Sequence, residues 1–351
     1  MTPALLTPSR PLVAPPEDAT RREFISGVGA AALAAAFLAA CGEDEGDADA
    51  GSATWTYESE FGPVELPRTI ERVVSIDYYT PPAMIDLGVV PVGVVNEYLT
   101  DVGGDAIPAE YQQAVIDGGA QRVSMSGYWE TDIEAVAAAE PDLIIATTDV
   151  LALDAPTREQ LEQIAPVVTF TARRPGSWLT RADGLATILG REDEVARLRA
   201  EYEEYRDELR ERYAGLFDGL TFAVAGFLDD QWGVYAKGHW ATEILLDLGA
   251  HFIDEDVSEL QSDENGFPTW LSYEQLHLLN DADVILRATN ADAAFAAVEA
   301  NPLWKTLPAV QRGRVFSYIN FTATGSYGWA MQNLQDFDQI LAEVQSHLDT
   351  E

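Results

Sequence analysis

The sequence predicts an α/β protein of two lobes, each built on a parallel sheet covered by helices on both faces, with one long helix joining them. Three observations carry this expectation. From Arg72 onward short apolar runs alternate with amphipathic segments, and near residue 219 the alternation starts again. Between the two series, 191–216 keeps a helical apolar spacing apart from one seven-residue step. Segments of the first series also return in the second. Ile85-Asp86-Leu87-Gly88 is answered by Leu246-Asp247-Leu248-Gly249, and Thr131-Asp132-Ile133-Glu134 with Pro141-Asp142-Leu143-Ile144 is answered by Leu271-Ser272-Tyr273-Glu274 with Ala282-Asp283-Val284-Ile285.

The chain opens on a segment of a different kind. Thr20-Arg21-Arg22-Glu23-Phe24 carries paired arginines, and a run of small apolar residues follows over 27–40, ending in Leu38-Ala39-Ala40-Cys41-Gly42. The run is shorter than the roughly 20 apolar residues a membrane crossing needs. It reads as a removable twin-arginine export signal over 1–40 ending in a lipobox, with Cys41 as the lipidated first mature residue. The alternative is an unmodified core cysteine. Residues 41–53 lack large apolar side chains and read as an acidic flexible tether.

The first lobe is expected over 54–178. Trp55-Thr56-Tyr57 and Val64-Glu65-Leu66-Pro67 suggest a hairpin forming an extra edge. Strands are expected at 72–77, 91–96, 142–147 and 167–170, and helices near 81–87, 131–139 and 156–164. Connecting helices fill 179–218: one over 179–189, closed by Gly190 as a helix C-terminal glycine, then the long one. Val195, Leu198, Tyr202, Tyr205, Leu209 and Leu216 give the latter its apolar stripe. Its roughly 39 Å would span both lobes as a single crossing. Asp193/Arg197 and Glu208/Arg212 stand at i,i+4, worth a few tenths of a kcal/mol each. The second lobe is expected over 219–351, with strands at 221–227, 251–254, 283–288 and 314–319 and helices at 239–248, 273–280, 291–299 and 328–348.

Composition narrows the function. Cys41 is the one cysteine, so the mature chain has no internal disulfide. The net charge is −38, and every part of the mature chain contributes: 41–53 carries −5, 54–178 carries −14, 179–218 carries −4 and 219–351 carries −15. Acidity spread this way argues against nucleic acid, whose binding needs a basic face, and against electrostatic adhesion to anionic lipid. The four histidines are dispersed and form no zinc or manganese cluster. Nucleophile-elbow, dinucleotide and phosphate-loop motifs are missing.

The ordered segments resemble the helical-backbone class of substrate-binding proteins for bacterial ABC importers, which carry ferric siderophores, haem and cobalamin. The stretches that carry the resemblance are Arg72-Val73-Val74-Ser75 leading to Asp86-Leu87-Gly88; Glu134 with Glu140-Pro141-Asp142-Leu143-Ile144-Ile145; Ile164-Ala165-Pro166-Val167-Val168; and Asn301-Pro302-Leu303-Trp304 with Leu307-Pro308-Ala309-Val310 and Gly313-Arg314-Val315. The resemblance implies two Rossmann-like lobes joined by a single long backbone helix, and a monomeric, lipid-anchored binding protein on the outer face of the cell membrane. It implies a ferric siderophore as the default ligand, an ABC importer permease as the partner, and no cofactor of its own. It also implies that one glutamate per lobe, Glu134 and Glu274, docks on permease arginines. Thr131-x-x-Glu134 also reads as a capping box, whereas Ser272 as N-cap would place Glu274 too early for that contact.

Loops at the carboxyl ends of strands should line the cleft, and here they are rich in aromatics. Tyr78 and Tyr79 follow the first strand and Tyr98 the second. Tyr128 and Trp129 precede the Glu134 helix, and Arg173 and Arg174 follow 167–170. The second half offers Trp232, Tyr235, Arg287 and Phe321. A bulky chelate with an apolar shell and a few oxygens suits an aromatic cup with arginine donors; ordinary packing is the competing role for each aromatic. The acidic field favours a neutral or cationic hydroxamate over a triply anionic catecholate. Haem, for which Tyr98 and Tyr128 would be candidate axial ligands, and cobalamin remain alternatives, as do an exported enzyme using the cleft and a sensory subunit.

Overall fold

The computed structural model describes residues 53–99, 107–124, 130–148, 155–171, 176–228, 231–235, 242–253, 260, 268–288, 292–318 and 325–350. The expectations placed on the export signal, Cys41 and most of the tether fall outside them.

The first lobe opens with β1 (Thr54–Ser59) and β2 (Gly62–Pro67), an antiparallel hairpin in the register Trp55 to Leu66. It is a two-stranded sheet of its own rather than an added edge strand. Three bonds fasten its tip to the main sheet: Glu60 N–H donates to Thr169 O at 3.1 Å, Ser59 Oγ–H to the same oxygen at 3.2 Å, and Thr169 N–H to Ser59 Oγ at 2.8 Å. That main sheet contains β3 (Val73–Ser75), β4 (Gly93–Val94), β5 (Gln121–Arg122), β6 (Leu143–Thr147) and β7 (Val167–Phe170). All are parallel, in the order β5-β4-β3-β6-β7. Helices α1 (Thr80–Asp86), α2 (Ala109–Asp117), α3 (Ile133–Ala138) and α4 (Ala155–Leu161) make the connections. A strand buried on both faces needs apolar residues throughout, and Leu143-Ile144-Ile145-Ala146 meets that condition.

Helix α5 (Ser177–Leu189) ends on Gly190, which takes the expected left-handed conformation at φ 62°. Helix α6 (Glu192–Phe217) is the predicted long helix. Arg212 pairs with Glu208 at 2.6 Å as expected, but Arg197 bonds Glu194 and Glu201 in place of Asp193.

The second sheet contains β8 (Thr221–Leu228), β9 (Gln231–Val234), β10 (His251–Phe252), β11 (Leu271–Ser272), β12 (Val284–Arg287) and β13 (Val315–Ser317), in the order β11-β9-β8-β12-β13 with β10 beside β8. It is mixed rather than parallel: β9 runs against β8, and β11 against β9. Leu228 and Gln231 are too close in sequence for a parallel crossover, which takes a dozen residues or more. A hairpin is the only connection that fits. Helices α7 (Glu243–Leu248), α8 (Asp292–Ala300), α9 (Pro308–Gln311) and α10 (Tyr327–Leu348) complete the lobe.

The core is continuous across the two lobes. One buried cluster runs from Leu66, Val73 and Leu143 through Leu185, Tyr202 and Leu209 to Phe222, Val224 and Leu286. Helix α6 is also not the sole crossing. Asp338 of α10 accepts from Tyr205 at 3.1 Å and from Arg212 and Tyr213 at 2.6 Å on α6. The start of α10 enters the first lobe, where Trp329 is buried among Val94, Tyr98 and Tyr111. There Gly328 N–H donates to Asp86 Oδ2 at 2.7 Å, and Tyr111 O–H to Asp86 Oδ1 at 3.0 Å. The lobes are therefore tied twice.

Candidate functional site

The first lobe's contribution begins where β3 ends. Asp77 is fully buried and accepts from Tyr79 N–H at 2.7 Å, Thr80 N–H at 2.8 Å and Thr80 Oγ1 at 2.8 Å. Its carboxylate thus caps the donors that open α1, whose Pro81-Pro82 start needs none from those two residues. Burial pushes the Asp77 carboxyl up to about 6, against the pull of Arg181 and its three donors. The tight turn fixes Tyr78 and Tyr79 edge to face, with ring centroids 5.6 Å apart. Tyr79 is buried, the Arg181 guanidinium lying 5.7 Å from its ring centre, whereas Tyr78 is half-buried.

Tyr98 does not take the role expected of it. It is fully buried with Val94, Val95 and Trp329, and its hydroxyl donates to Tyr78 O at 2.6 Å. Burial raises its phenol well above the usual range. A ring whose one polar atom is already spent on the backbone supports the Tyr78 turn from beneath. It is neither a cleft aromatic nor an axial ligand here.

In the second lobe Trp232 is likewise corrected. It lies opposite Phe227 on the β8–β9 hairpin, fully buried, and its indole N–H donates to Ser272 O at 3.0 Å. Phe227, Phe295 and Trp304 share its cluster. Tyr235 is buried too, its ring against Gly226, where an added Cβ would stand 3.0 Å from the ring. Burial pushes its phenol up to about 12.

Arg287 keeps a site-like position. It is the last residue of β12, half-buried, opposite Ser317 of β13. Its Nη2 and Nε donate to Ser317 Oγ at 2.5 and 3.2 Å, and its guanidinium lies 4.2 Å from the centre of the Phe295 ring. These groups open on a cavity of about 450 Å³ that also touches Glu299, Trp304 and Phe316. A cation held over an aromatic face at the carboxyl end of a strand is a pre-set donor for an oxygen ligand. Tyr128, Trp129, Arg173, Arg174 and Phe321 lie outside the described residues.

Glu134 and Glu274 are both exposed. The capping box does not form: α3 starts one residue later than its spacing requires, and Asp132 is the N-cap, accepting from Ala135 N–H at 3.0 Å. The 3₁₀ turn at Tyr273–Leu279 has Ser272 at its N-cap position without a side-chain bond. Neither glutamate side chain is used by its helix start.

The sequence reading missed Arg181 and Glu243. Both are buried, Arg181 in α5 and Glu243 in α7, and Glu243 accepts from Gly176 N–H at 2.5 Å. An arginine and a glutamate inside amphipathic helices carry no local mark of burial. Among the described residues no group of three or more His, Cys, Asp or Glu side chains is arranged to hold a metal ion.

The geometry agrees with comparisons to known proteins. A family model described as "Periplasmic binding protein" matches residues 87–320. The Bacillus subtilis protein YhfQ, named a putative ABC transporter substrate-binding lipoprotein, is 24% identical over 81% of this chain and 87% of its own. The Escherichia coli protein FecB, named an Fe(3+) dicitrate-binding periplasmic protein, is 23% identical over 82% of this chain and 88% of its own. The solved siderophore periplasmic binding protein from the fuscachelin gene cluster of Thermobifida fusca superposes with a TM-score of 0.63 at 27% identity, covering 78% of this chain and 98% of that one. With its two α/β lobes, its long connecting helix and a match across most of its length, this chain belongs to the periplasmic binding protein family, among relatives that are siderophore and iron-citrate substrate-binding proteins of ABC transporters.

Proposed function

We propose that this protein is a lipid-anchored, extracytoplasmic solute-binding protein of an ABC importer, and that it captures a ferric siderophore and delivers it to a membrane permease. The observation that carries the ligand class is Arg287, at the carboxyl end of β12, held by Ser317 and Phe295 beside a cavity of about 450 Å³ that runs along the edge strand β13. Tyr78, half-buried, follows the carboxyl end of β3 in the first sheet. A chelate with an apolar shell and few oxygens is complementary to that pair. Iron is cargo in this reading, shielded by its chelator. The protein binds and releases without turnover.

The anchor rests on Cys41 after its small-residue run, supported by the name of the YhfQ relative. Glu134 and Glu274, exposed and unused by their helix starts, are the proposed contacts to permease arginines.

The test is a tryptophan-fluorescence titration with ferric citrate, ferric hydroxamates, ferric catecholates, haem and cobalamin. Saturable quenching by one iron chelate, weakened in Tyr78→Ala and Arg287→Ala, is the expected result. Indifference to every iron chelate would overturn the assignment, and a Soret band on haem addition would replace it. Metabolic palmitate labelling that survives Cys41→Ser would overturn the anchor.

A further inference from the structure

A buried ionic cluster lies where the two lobes meet. Glu243 is the first residue of α7, in the second lobe, and its Oε1 accepts from the N–H of Gly176, the residue that starts α5 against the first lobe. Arg181, one turn into α5, is almost completely buried, its Nη1 donates to Thr171 O at 3.5 Å, and its charge favours the ionised forms of both Glu243 and the first-lobe Asp77. Asp247, one turn along α7, adds a second negative charge beside Glu243. From α6, Tyr202 donates to Asp247 at 3.0 Å, and Arg206 and Arg210 are the cations that face Asp247. From α10, Tyr327 closes the apolar side, its ring 5.1 Å from Trp178 and 5.9 Å from Tyr202. Glu243 thus has one backbone donor and the buried Arg181 against it, while Asp247, on the same short helix, is met by Tyr202, Arg206 and Arg210.

We propose that Glu243, with Gly176 and Arg181, forms a proton-sensitive latch between the lobes: protonated, Glu243 stays packed across the junction, and ionised, it favours leaving for water. The same Arg181 stands behind the Tyr78–Tyr79 turn through Asp77, so the state of the latch reaches the ligand side of the first lobe. Nothing in this inference depends on which ligand the protein carries.

The sign follows from linkage. Burial, with Asp247 adding to it, lifts the Glu243 carboxyl to about 7, against Gly176 and Arg181, which pull it down. In the released state it returns to the ordinary value of 4.5. The latch is fully formed below that value, weakens as pH rises toward about 7, and weakens no further above it.

Amide exchange at Gly176, corrected for the intrinsic exchange rate, reads the latch directly. In the wild-type protein its protection should fall at least about tenfold between pH 5 and pH 7 and level off above. In Glu243→Gln that loss should vanish, since the amide stays neutral and still accepts. The slope contributed by Asp77 and the general acidity of the chain remains in both proteins, so their difference isolates Glu243. Asp247→Asn removes the neighbouring charge and should bring the levelling point down by about one pH unit. A wild-type slope retained in Glu243→Gln would overturn the proposal. If Glu243→Gln does not fold, an unmoved levelling point in Asp247→Asn would overturn it.

Discussion

Gly328→Ala should destabilise this protein, although the same change elsewhere in a helix stabilises. Gly328 is the second residue of α10, where alanine is intrinsically favoured over glycine by about 1 kcal/mol. An alanine Cβ there would stand 2.6 Å from Asp86 Oδ1, 2.6 Å from the Tyr111 hydroxyl and 2.8 Å from Asp86 Oδ2. None of these neighbours is the loose end of a flexible chain. Asp86 holds Gly328 N–H at 2.7 Å and Tyr111 O–H at 3.0 Å, and both bonds lengthen if it retreats. Hydrogen bonds to a charged group are worth about 1.5–3 kcal/mol each. Losing both and regaining the propensity term leaves a net cost of about 2–5 kcal/mol. Gly215→Ala is the internal standard: it lies on the exposed face of α6 with nothing within 4 Å of its new Cβ, and should gain up to about 1 kcal/mol. Urea unfolding midpoints of the two variants should move in opposite directions. A Gly328→Ala protein as stable as wild type would refute the second tie between the lobes.

Other outcomes follow from single residues. Trp232→Phe, which loses the bond to Ser272 O, should cost about 1–2 kcal/mol in urea unfolding and leave ferric-chelate affinity unchanged; a selective loss of affinity would return Trp232 to the ligand surface. Asp77, lifted by burial to about 6 from 3.8, stabilises fully below the lower value and progressively less as pH rises through the upper. Asp77→Asn should flatten the pH dependence of unfolding in that window by roughly 3 kcal/mol, and an unchanged slope would contradict it. Glu134→Ala and Glu274→Ala should leave stability within about 0.5 kcal/mol of wild type while reducing stimulation of permease ATP hydrolysis in proteoliposomes; undiminished stimulation in the double variant would end their docking role.

Much of this architecture was legible because it is written in local patterns. The strand Val167–Phe170 and the helix Glu192–Phe217 emerge within a residue of their expected bounds, since a mostly apolar run and a long helical stripe leave few alternatives. The antiparallel turn at β9 depended on counting residues after Leu228, which periodicity does not do. The reach of α10 into the first lobe depended on Asp86 and Gly328, 242 positions apart, each ordinary in its own surroundings. The site was less legible than the fold. Tyr78 and Trp232 both follow or sit in strands as aromatics; what separates them is a bond from an indole to Ser272 O and a shared cluster with Phe295, both set by tertiary packing. Arg181 and Glu243 were hidden for the converse reason, as charged residues whose burial is compensated only by distant groups.

The continuous core and the two ties bear on the energetics of capture. A binding protein that must first close spends part of its intrinsic affinity on populating the closed form, and its apparent dissociation constant rises by the inverse of that population. Here the buried path from Val73 through Tyr202 to Leu286, with Asp86 gripping the start of α10, opposes separation of the lobes. Under the proposed function, affinity is then set by contacts at the ligand site, and a substitution at Tyr78 or Arg287 is expected to enter the dissociation constant undiluted. A weakened brace such as Gly328→Ala would lower affinity for every ligand by one common factor, and so leave the ranking among chelates unchanged.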